Sequence, residues 1–429
     1  MNFAMLPPPH QLVEIMRRLY DQGLTTTSGG NLSILDDDGS IWITPAGVDK
    51  GSLRPEDIVR VYPDGRQDGL HRPSSEFPFH RQIYNARPDL SAIVHAHPIA
   101  LVAFSLVRQV PDTHITPQAF EVCGKVGYAR YELPGSEALG LRISEAFDTG
   151  ANVVMLENHG AVAGGSGLLD AFHRLETLEF AAQTLIHAAN LGELELLADE
   201  ELGLIRQDTQ FPEFAPTKRD SRELEGRHAI AKVIRRAYAH RLVTSTGGTV
   251  STRLGDDDFI ITPFGFDRKY VEPEDMVRIL DGRREAGRIP SRAVRLHRAI
   301  YAAHPGVNCI MSAQPPGALS FSVTNLVPFD TKLIPETYIV LREMPAVPYG
   351  TVFTDPESIA RLLTPDTPVL LLRHDAVLVT GKTTLEAFDR IEVAEFSAQA
   401  LLRSRALGLL QPIGEEDIRN LQQKFFPKL

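Results

Sequence analysis

The stretch ITPAGVDKGSLRPEDIVRV at residues 43–61 has a second version in the same chain, ITPFGFDRKYVEPEDMVRI at residues 261–279, identical at 10 of 19 positions without a gap. The same register, with a period near 217 residues, pairs LTTTSGGNLS at 24–33 with LVTSTGGTVS at 242–251. It also pairs LLDAFHRLETLEFAAQTL from Leu168 with TLEAFDRIEVAEFSAQAL from Thr384. A repeat this long is a duplicated whole domain and not a solenoid unit, because each copy is large enough to bury its own core. The polar, proline-containing stretch at 207–220 separates the copies, so the expected domains are 1–215 and 216–429.

Composition agrees with two folded domains. The 429 residues are 43% hydrophobic and 23% charged, which excludes disorder, collagen and a coiled coil. A net charge of −11 supplies no basic face for a phosphate backbone, so no nucleic-acid partner is expected. The N-terminal segment lacks a basic region followed by a continuous apolar one, and no stretch approaches the ~18 apolar residues of a membrane span. The expectation is a cytoplasmic protein without a membrane partner. Cys123 and Cys309 lie far apart with no CxxC spacing, which argues against a disulfide framework or thiolate metal site.

Within each copy the pattern reads helix, strand pair, helix, strand, then a strand feeding a long helix, an α/β or α+β class with a central sheet. In the first copy Leu12, Ile15, Met16 and Leu19 have the spacing of a helix face, as do Leu168, Phe172, Leu175, Ala182 and Leu185. The runs Ala92-Ile93-Val94 and Val153-Val154-Met155-Leu156 read as buried strands, and both lead into histidines. His95 and His97, two apart on an extended strand, share a face, which lets both imidazoles reach one ion. Such a pair alone is also common on surfaces and in hydrogen-bonded cores. Two further groups strengthen the metal reading: His159, in Glu157-Asn158-His159-Gly160, and Glu76, in Pro73-Ser74-Ser75-Glu76 ahead of a helix. Three histidines and a carboxylate suit Zn²⁺ first, with Mn²⁺, Co²⁺ or Fe²⁺ also compatible. The alternative for Glu76 is a helix-start carboxylate favoured by the macrodipole. Gly29, Gly30, Asn31, Ser74 and Ser75 suggest an anion cradle, although a Gly-Gly turn and a Ser-Ser helix cap explain the same residues.

SGGNLS at 28–33, ITPAG at 43–47, PSSE at 73–76, HAHP at 95–98 and NHG at 158–160 together resemble the motif series of the class II aldolase/adducin family. That family includes fuculose-phosphate and rhamnulose-phosphate aldolases, ribulose-phosphate 4-epimerase and the non-catalytic adducin head domain. The resemblance covers essentially residues 8–200 and, more weakly, the second copy. It implies an α/β/α sandwich with a central, largely antiparallel sheet. It also implies His95, His97 and His159 as metal ligands, with Glu76 as a ligand in the resting enzyme and as the catalytic base. Gly30, Asn31, Gly47, Ser74 and Ser75 match the phosphate loops. Ala46 departs from the pattern, since those aldolases carry a hydroxyl residue before the glycine. The tyrosine that serves as general acid falls near Ile115, and Phe120 is equally inert. The counterpart of Phe120 in the second copy is Tyr338, a candidate proton donor.

The second copy carries Pro290-Ser291-Arg292-Ala293 in place of the PSSE motif, Ser312 and Gln314 for the paired histidines, and Asp375 for His159. His374 and Asp375 keep some ligand capacity, but the set is broken, and the copy is expected to be degenerate. Family members resembling this one form four-fold rings, so a duplicated chain is expected to form a homodimer with a pseudo-fourfold ring. The expected function is a divalent-metal-dependent lyase, with aldolase-type carbon–carbon cleavage of a small hydroxy-carbonyl compound such as a sugar or sugar phosphate. The alternatives are an epimerase, dehydratase or decarboxylase at the same centre, or a non-catalytic, adducin-like assembly module.

Overall fold

The computed structural model describes residues 3–206, 211–216, 218–325 and 327–426. The first repeat runs α1 (Pro8–Asp21), β1 (Asn31–Leu35), β2 (Ile41–Ile43), β3 (Val59–Val61), β4 (Gln67–Asp68), α2 (Phe77–Ala86), β5 (Ala92–Ala96), α3 (Ile99–Leu106) and α4 (Pro117–Cys123). It continues with β6 (Val126–Ala129), α5 (Glu137–Asp148), β7 (Val153–Leu156), β8 (Gly160–Gly165) and α6 (Leu168–Ala189). The eight strands form one sheet in the order β4-β3-β2-β1-β5-β8-β7-β6. Every pairing is antiparallel except β6 with β7.

The central strand β5 is buried at all five residues, which explains its continuous apolar run: both faces of the sheet are covered. On one face Ile43, Val59, Ile93, Val154 and Val162 pack with Phe79 and Ile83 of α2 and with Ile143 and Phe147 of α5. On the other side, α1 contacts β1 and β2. There the buried Arg18 guanidinium lies 4.4 Å from the centre of the Phe172 ring, joining α1 to α6. The result is an α/β/α sandwich. Where the sequence suggested a single strand pair after α1, four strands occur. Tight turns close the β1–β2 and β3–β4 hairpins, with Gly39 and Gly65 at φ +80° and +85°.

The second repeat follows α7 (Asp199–Leu202) and β9 (Glu213–Phe214), and begins with α8 (Ser221–Ala239), β10 (Thr249–Gly255), β11 (Asp258–Ile261), β12 (Val277–Leu280) and β13 (Arg283–Glu285). Next come α9 (Val294–Ala303), β14 (Cys309–Ala313), α10 (Pro316–Ser320), α11 (Pro335–Leu341), β15 (Ala346–Val347), α12 (Thr351–Thr354) and α13 (Pro356–Leu362). It ends with β16 (Val369–Leu372), β17 (Ala376–Gly381), α14 (Thr384–Ser404) and α15 (Glu415–Phe425). Its sheet, β15-β16-β17-β14-β10-β11-β12-β13-β9, repeats the first order and adds β9 at one edge. Two separate apolar clusters cover its faces, one with Ile300 and Ile359, the other with Ile234 and Phe388. The duplicated fold is therefore present twice.

By contacts the chain forms two compact units, Met1–His114 with Gln118–Gln183, and Ile115–Pro117 with Thr184–Leu429. The described residues from Thr184 to the repeat boundary expected near residue 215 thus pack with the second unit; residues 207–210 of that stretch lie outside the described residues. Among the described residues no helix is long and apolar enough to cross a membrane.

Candidate metal centre

His95 lies on β5, fully buried, and its Nδ1 donates to the Ala161 carbonyl on neighbouring β8 at 3.0 Å. That bond fixes the proton on Nδ1 and leaves the Nε2 lone pair to face the site, the usual outer support of a metal-binding imidazole. His97 follows one residue past β5 on the same side, with Nε2 3.1 Å from His95 Nε2. His159 arrives from the turn between β7 and β8, where Asn158 adopts φ +56°. The three ring centres are 4.8 to 4.9 Å apart, and each ring offers a nitrogen within 4.8 Å of the others. Burial, followed by the neighbouring imidazoles, lowers the pKa of His97 to about 3 and of His159 to about 4, which keeps both in the neutral, ligating form.

Glu76 occupies the N-cap position of α2, yet its side chain makes no capping hydrogen bond. It turns instead toward the histidines, with Oε2 3.3 Å from His95 Nε2 and Oε1 3.7 Å from His159 Nε2. The tight cluster comprises the three imidazoles alone, and the carboxylate sits at its edge. Burial by itself would raise the Glu76 carboxyl, but His95, Asn31 and His159 outweigh it and hold the group well below the ordinary carboxylate range. Oε1 is buried without a hydrogen-bond partner. Converging imidazole lone pairs beside such a carboxylate oxygen are a donor set that fits a divalent ion.

A directional chain of hydrogen bonds ends on the other carboxylate oxygen. Asn31 Nδ2 donates to Glu76 Oε2 at 2.7 Å, and Asn31 Oδ1 accepts from His80 Nε2 at 2.5 Å. His80 Nδ1 must then accept from the Ser33 hydroxyl at 2.7 Å, and Ser33 Oγ accepts from Tyr84 at 2.7 Å. Both ends of the Asn31 side-chain amide are thus engaged within the protein. In the second repeat the chain persists as Tyr301, Ser251 and His297. There it stops, because Thr249 replaces Asn31 and bonds Ser291, leaving buried His297 Nε2 with no partner.

The expected anion residues Gly30, Asn31, Gly47, Ser74 and Ser75 line one cavity of about 240 Å³ with Glu76, His97 and His159. Gly30 is required by conformation and space: it has φ +70°, and a Cβ there would lie 2.6 Å from the His95 carbonyl oxygen. The same cavity is lined by Lys50, which the sequence reading did not single out. A lysine in an Asp-Lys-Gly-Ser stretch reads as a solvated turn residue, and only the tertiary fold buries it.

The second repeat keeps none of the four residues of the candidate metal centre: Ala293, Ser312, Gln314 and Asp375 stand in their places. Gln314 accepts from the Gly248 backbone N–H at 2.9 Å, and burial raises the Asp375 carboxyl to about 6. The Tyr338 hydroxyl accepts from Gln422 at 2.7 Å, and its ring packs on Phe426. A larger groove of about 1110 Å³ in the second unit is lined by Arg292, Arg295 and Arg298, but no group of metal-ligating side chains lies there among the described residues.

The family model for the class II aldolase and adducin N-terminal domain matches residues 10–186 and again 228–402. An L-fuculose phosphate aldolase of Methanocaldococcus jannaschii is 34% identical over 173 residues, 40% of this chain and 92% of that protein. A 3-oxo-tetronate 4-phosphate decarboxylase of Haemophilus influenzae is 34% identical over 195 residues, 44% of this chain and 92% of that protein. Among solved structures, an L-fuculose 1-phosphate aldolase is 35% identical with a TM-score of 0.43, over 46% of this chain and 93% of its own.

Proposed function

The chain belongs to the class II aldolase and adducin family, and from that premise we propose that its first repeat is a divalent-metal-dependent lyase. The reaction is aldolase-type carbon–carbon cleavage of a small hydroxy-carbonyl compound, a sugar or sugar phosphate. One observation carries the reading: His95, His97 and His159 converge beside Glu76 in the first repeat, while the second repeat keeps the fold and has lost all four.

His95, His97 and His159 would hold the ion, with Zn²⁺ the first choice. When bound, a divalent ion supplies Lewis acidity toward the substrate carbonyl and its neighbouring hydroxyl. Asn31 holds Glu76 Oε2, so Oε1 is the atom positioned to take a proton from the substrate hydroxyl or α-carbon. For cleavage the proton comes from the hydroxyl on the departing carbon, which leaves as the aldehyde; the electron pair of the broken carbon–carbon bond passes into the carbonyl system, and the proton held on Glu76 returns to the α-carbon. The Gly30 and Gly47 turns with Ser74 and Ser75 orient the far end of the substrate. The Haemophilus influenzae relative supports a second reading, decarboxylation at the same centre. Incubation of the metal-loaded protein with phosphorylated and free ketoses and oxo acids tests both. Aldehyde release supports cleavage, carbon dioxide release supports decarboxylation, and neither product with any substrate class opposes the enzyme reading.

We extend the proposal to a cytoplasmic homodimer in which intact and degenerate repeats alternate around a pseudo-fourfold ring, with the repeat boundary near residue 215. Light scattering tests it: twice the chain mass supports the ring, and a monomer or odd oligomer opposes it.

A further inference from the structure

Lys50 sits in the wall of the 240 Å³ cavity with only 4% of its surface exposed. Its ammonium carries three donors, yet among the described residues it makes a single hydrogen bond, to the Pro45 carbonyl at 2.6 Å, and has no carboxylate partner. A buried cation with donors to spare is costly unless an anion completes it. Burial pulls its pKa to about 8, so the charge is retained at neutral pH.

The second repeat supplies the internal comparison. Arg268 occupies the Lys50 position, and the backbones agree: Lys50 N donates to Thr27 O at 2.9 Å, and Arg268 N to Ser245 O at 2.8 Å. The Arg268 guanidinium, however, is spent on the carbonyls of Gly247, Gly248, Pro263 and Phe266 at 2.8 to 3.3 Å. Those carbonyls belong to the counterparts of the cradle loops. The degenerate repeat therefore satisfies its cation from within, whereas the intact repeat leaves an ammonium beside an open cavity. Gly29 O in the first repeat is capped by the Thr25 hydroxyl at 2.8 Å and makes no demand on Lys50.

We propose that Lys50 determines substrate specificity in the first repeat by binding a phosphate monoester of the substrate. Its ammonium takes the place of the hydroxyl missing at Ala46, next to the Pro45 carbonyl that anchors it. The dianion lies among Lys50, the Ser74 and Ser75 hydroxyls and the backbone of Gly30 and Gly47, all on the wall of one cavity with Glu76. This rests on the reading of that cavity as the lyase site, and it selects phosphorylated over free sugars.

Calorimetric titration with inorganic phosphate and with phosphoglycolate tests the assignment on wild type, Lys50→Met and Lys50→Arg, with metal content and melting temperature measured on the same samples. Lys50→Met is expected to weaken phosphate about tenfold or more while keeping its metal, and Lys50→Arg to recover little of the loss, since an arginine there turns to the loop carbonyls as Arg268 does. If Lys50→Met does not fold, Ala46→Glu sets a carboxylate against the same ammonium and is expected to remove phosphate binding. Wild-type protein that holds metal but binds neither probe overturns the assignment, as does equal affinity in Lys50→Met. Protein that binds phosphate through Lys50 but takes up no metal overturns the lyase reading and leaves the Lys50 assignment standing.

Discussion

Asn31 Nδ2 lies 2.7 Å from Glu76 Oε2, and this bond fixes the carboxylate so that Oε1 is the oxygen left without a hydrogen bond. Replacing Asn31 by Ala frees the carboxylate to rotate and leaves His80 Nε2 unpaired. Asn31→Ala is expected to lower kcat by about 10- to 100-fold, the usual effect of losing a supporting contact at a metal centre. It should also cost about 1–3 kcal/mol of stability for the buried groups left unmet. Steady-state kinetics with urea unfolding checks both, and an unchanged kcat would show that Glu76 needs no such support.

The two glycines of the cradle differ in what a side chain would meet. At Gly30 the φ of +70° is combined with a Cβ position 2.6 Å from the His95 carbonyl, on the strand that carries a proposed ligand; at Gly47 the φ is also +70°, but nothing lies within 4 Å. Gly30→Ala is therefore expected to cost more than about 2 kcal/mol and to weaken metal retention, and Gly47→Ala about 1 kcal/mol with metal retained. Equal metal content in the two variants would contradict this.

Acid sensitivity follows from His80 and His297, one in each repeat. Burial, with the neighbouring His95 ring adding to it at His80, lowers both to about 3. The unfolded chain takes up these protons near pH 6.5 and the folded chain only near 3, so the unfolded state binds more protons between those values. Stability from the neutral imidazoles is complete above about pH 6.5 and falls toward pH 3, by at most about 1.4 kcal/mol per pH unit for each. Urea midpoints of metal-free protein at pH 7, 6, 5 and 4 should decline, and equal midpoints at pH 7 and 5 would contradict the prediction.

Asp375 stands where His159 stands in the first repeat, but with Ser312, Gln314 and Ala293 it forms no ligand set. Asp375→Ala is expected to leave the number of bound ions per chain unchanged. A fall in metal content on that substitution alone would place an ion in the second repeat.

The parts of the site legible in the sequence were those written by local period and chemistry. His95 and His97 share a face because strands alternate, and the buried run Ala92-Ile93-Val94 marks the strand; the internal repeat shows that the second copy carries other residues at the candidate ligand positions. The bond from Asn31 to Glu76 was not legible, because 45 residues separate them and a Gly-Gly-Asn turn is an adequate explanation for Asn31 alone. Lys50 was missed because its burial comes from the loops closing over it. The strands β3 and β4 were missed because they are two or three residues long and too short to display a period.

The most direct test of the central claim is elemental mass spectrometry of purified wild type and His97→Ala, each before and after reconstitution with Zn²⁺, Mn²⁺, Co²⁺ and Fe²⁺. About one divalent ion per chain in wild type, lost in His97→Ala, is the predicted result. No ion retained under any reconstitution, or an unchanged content in His97→Ala, would contradict a metal-dependent site in the first repeat.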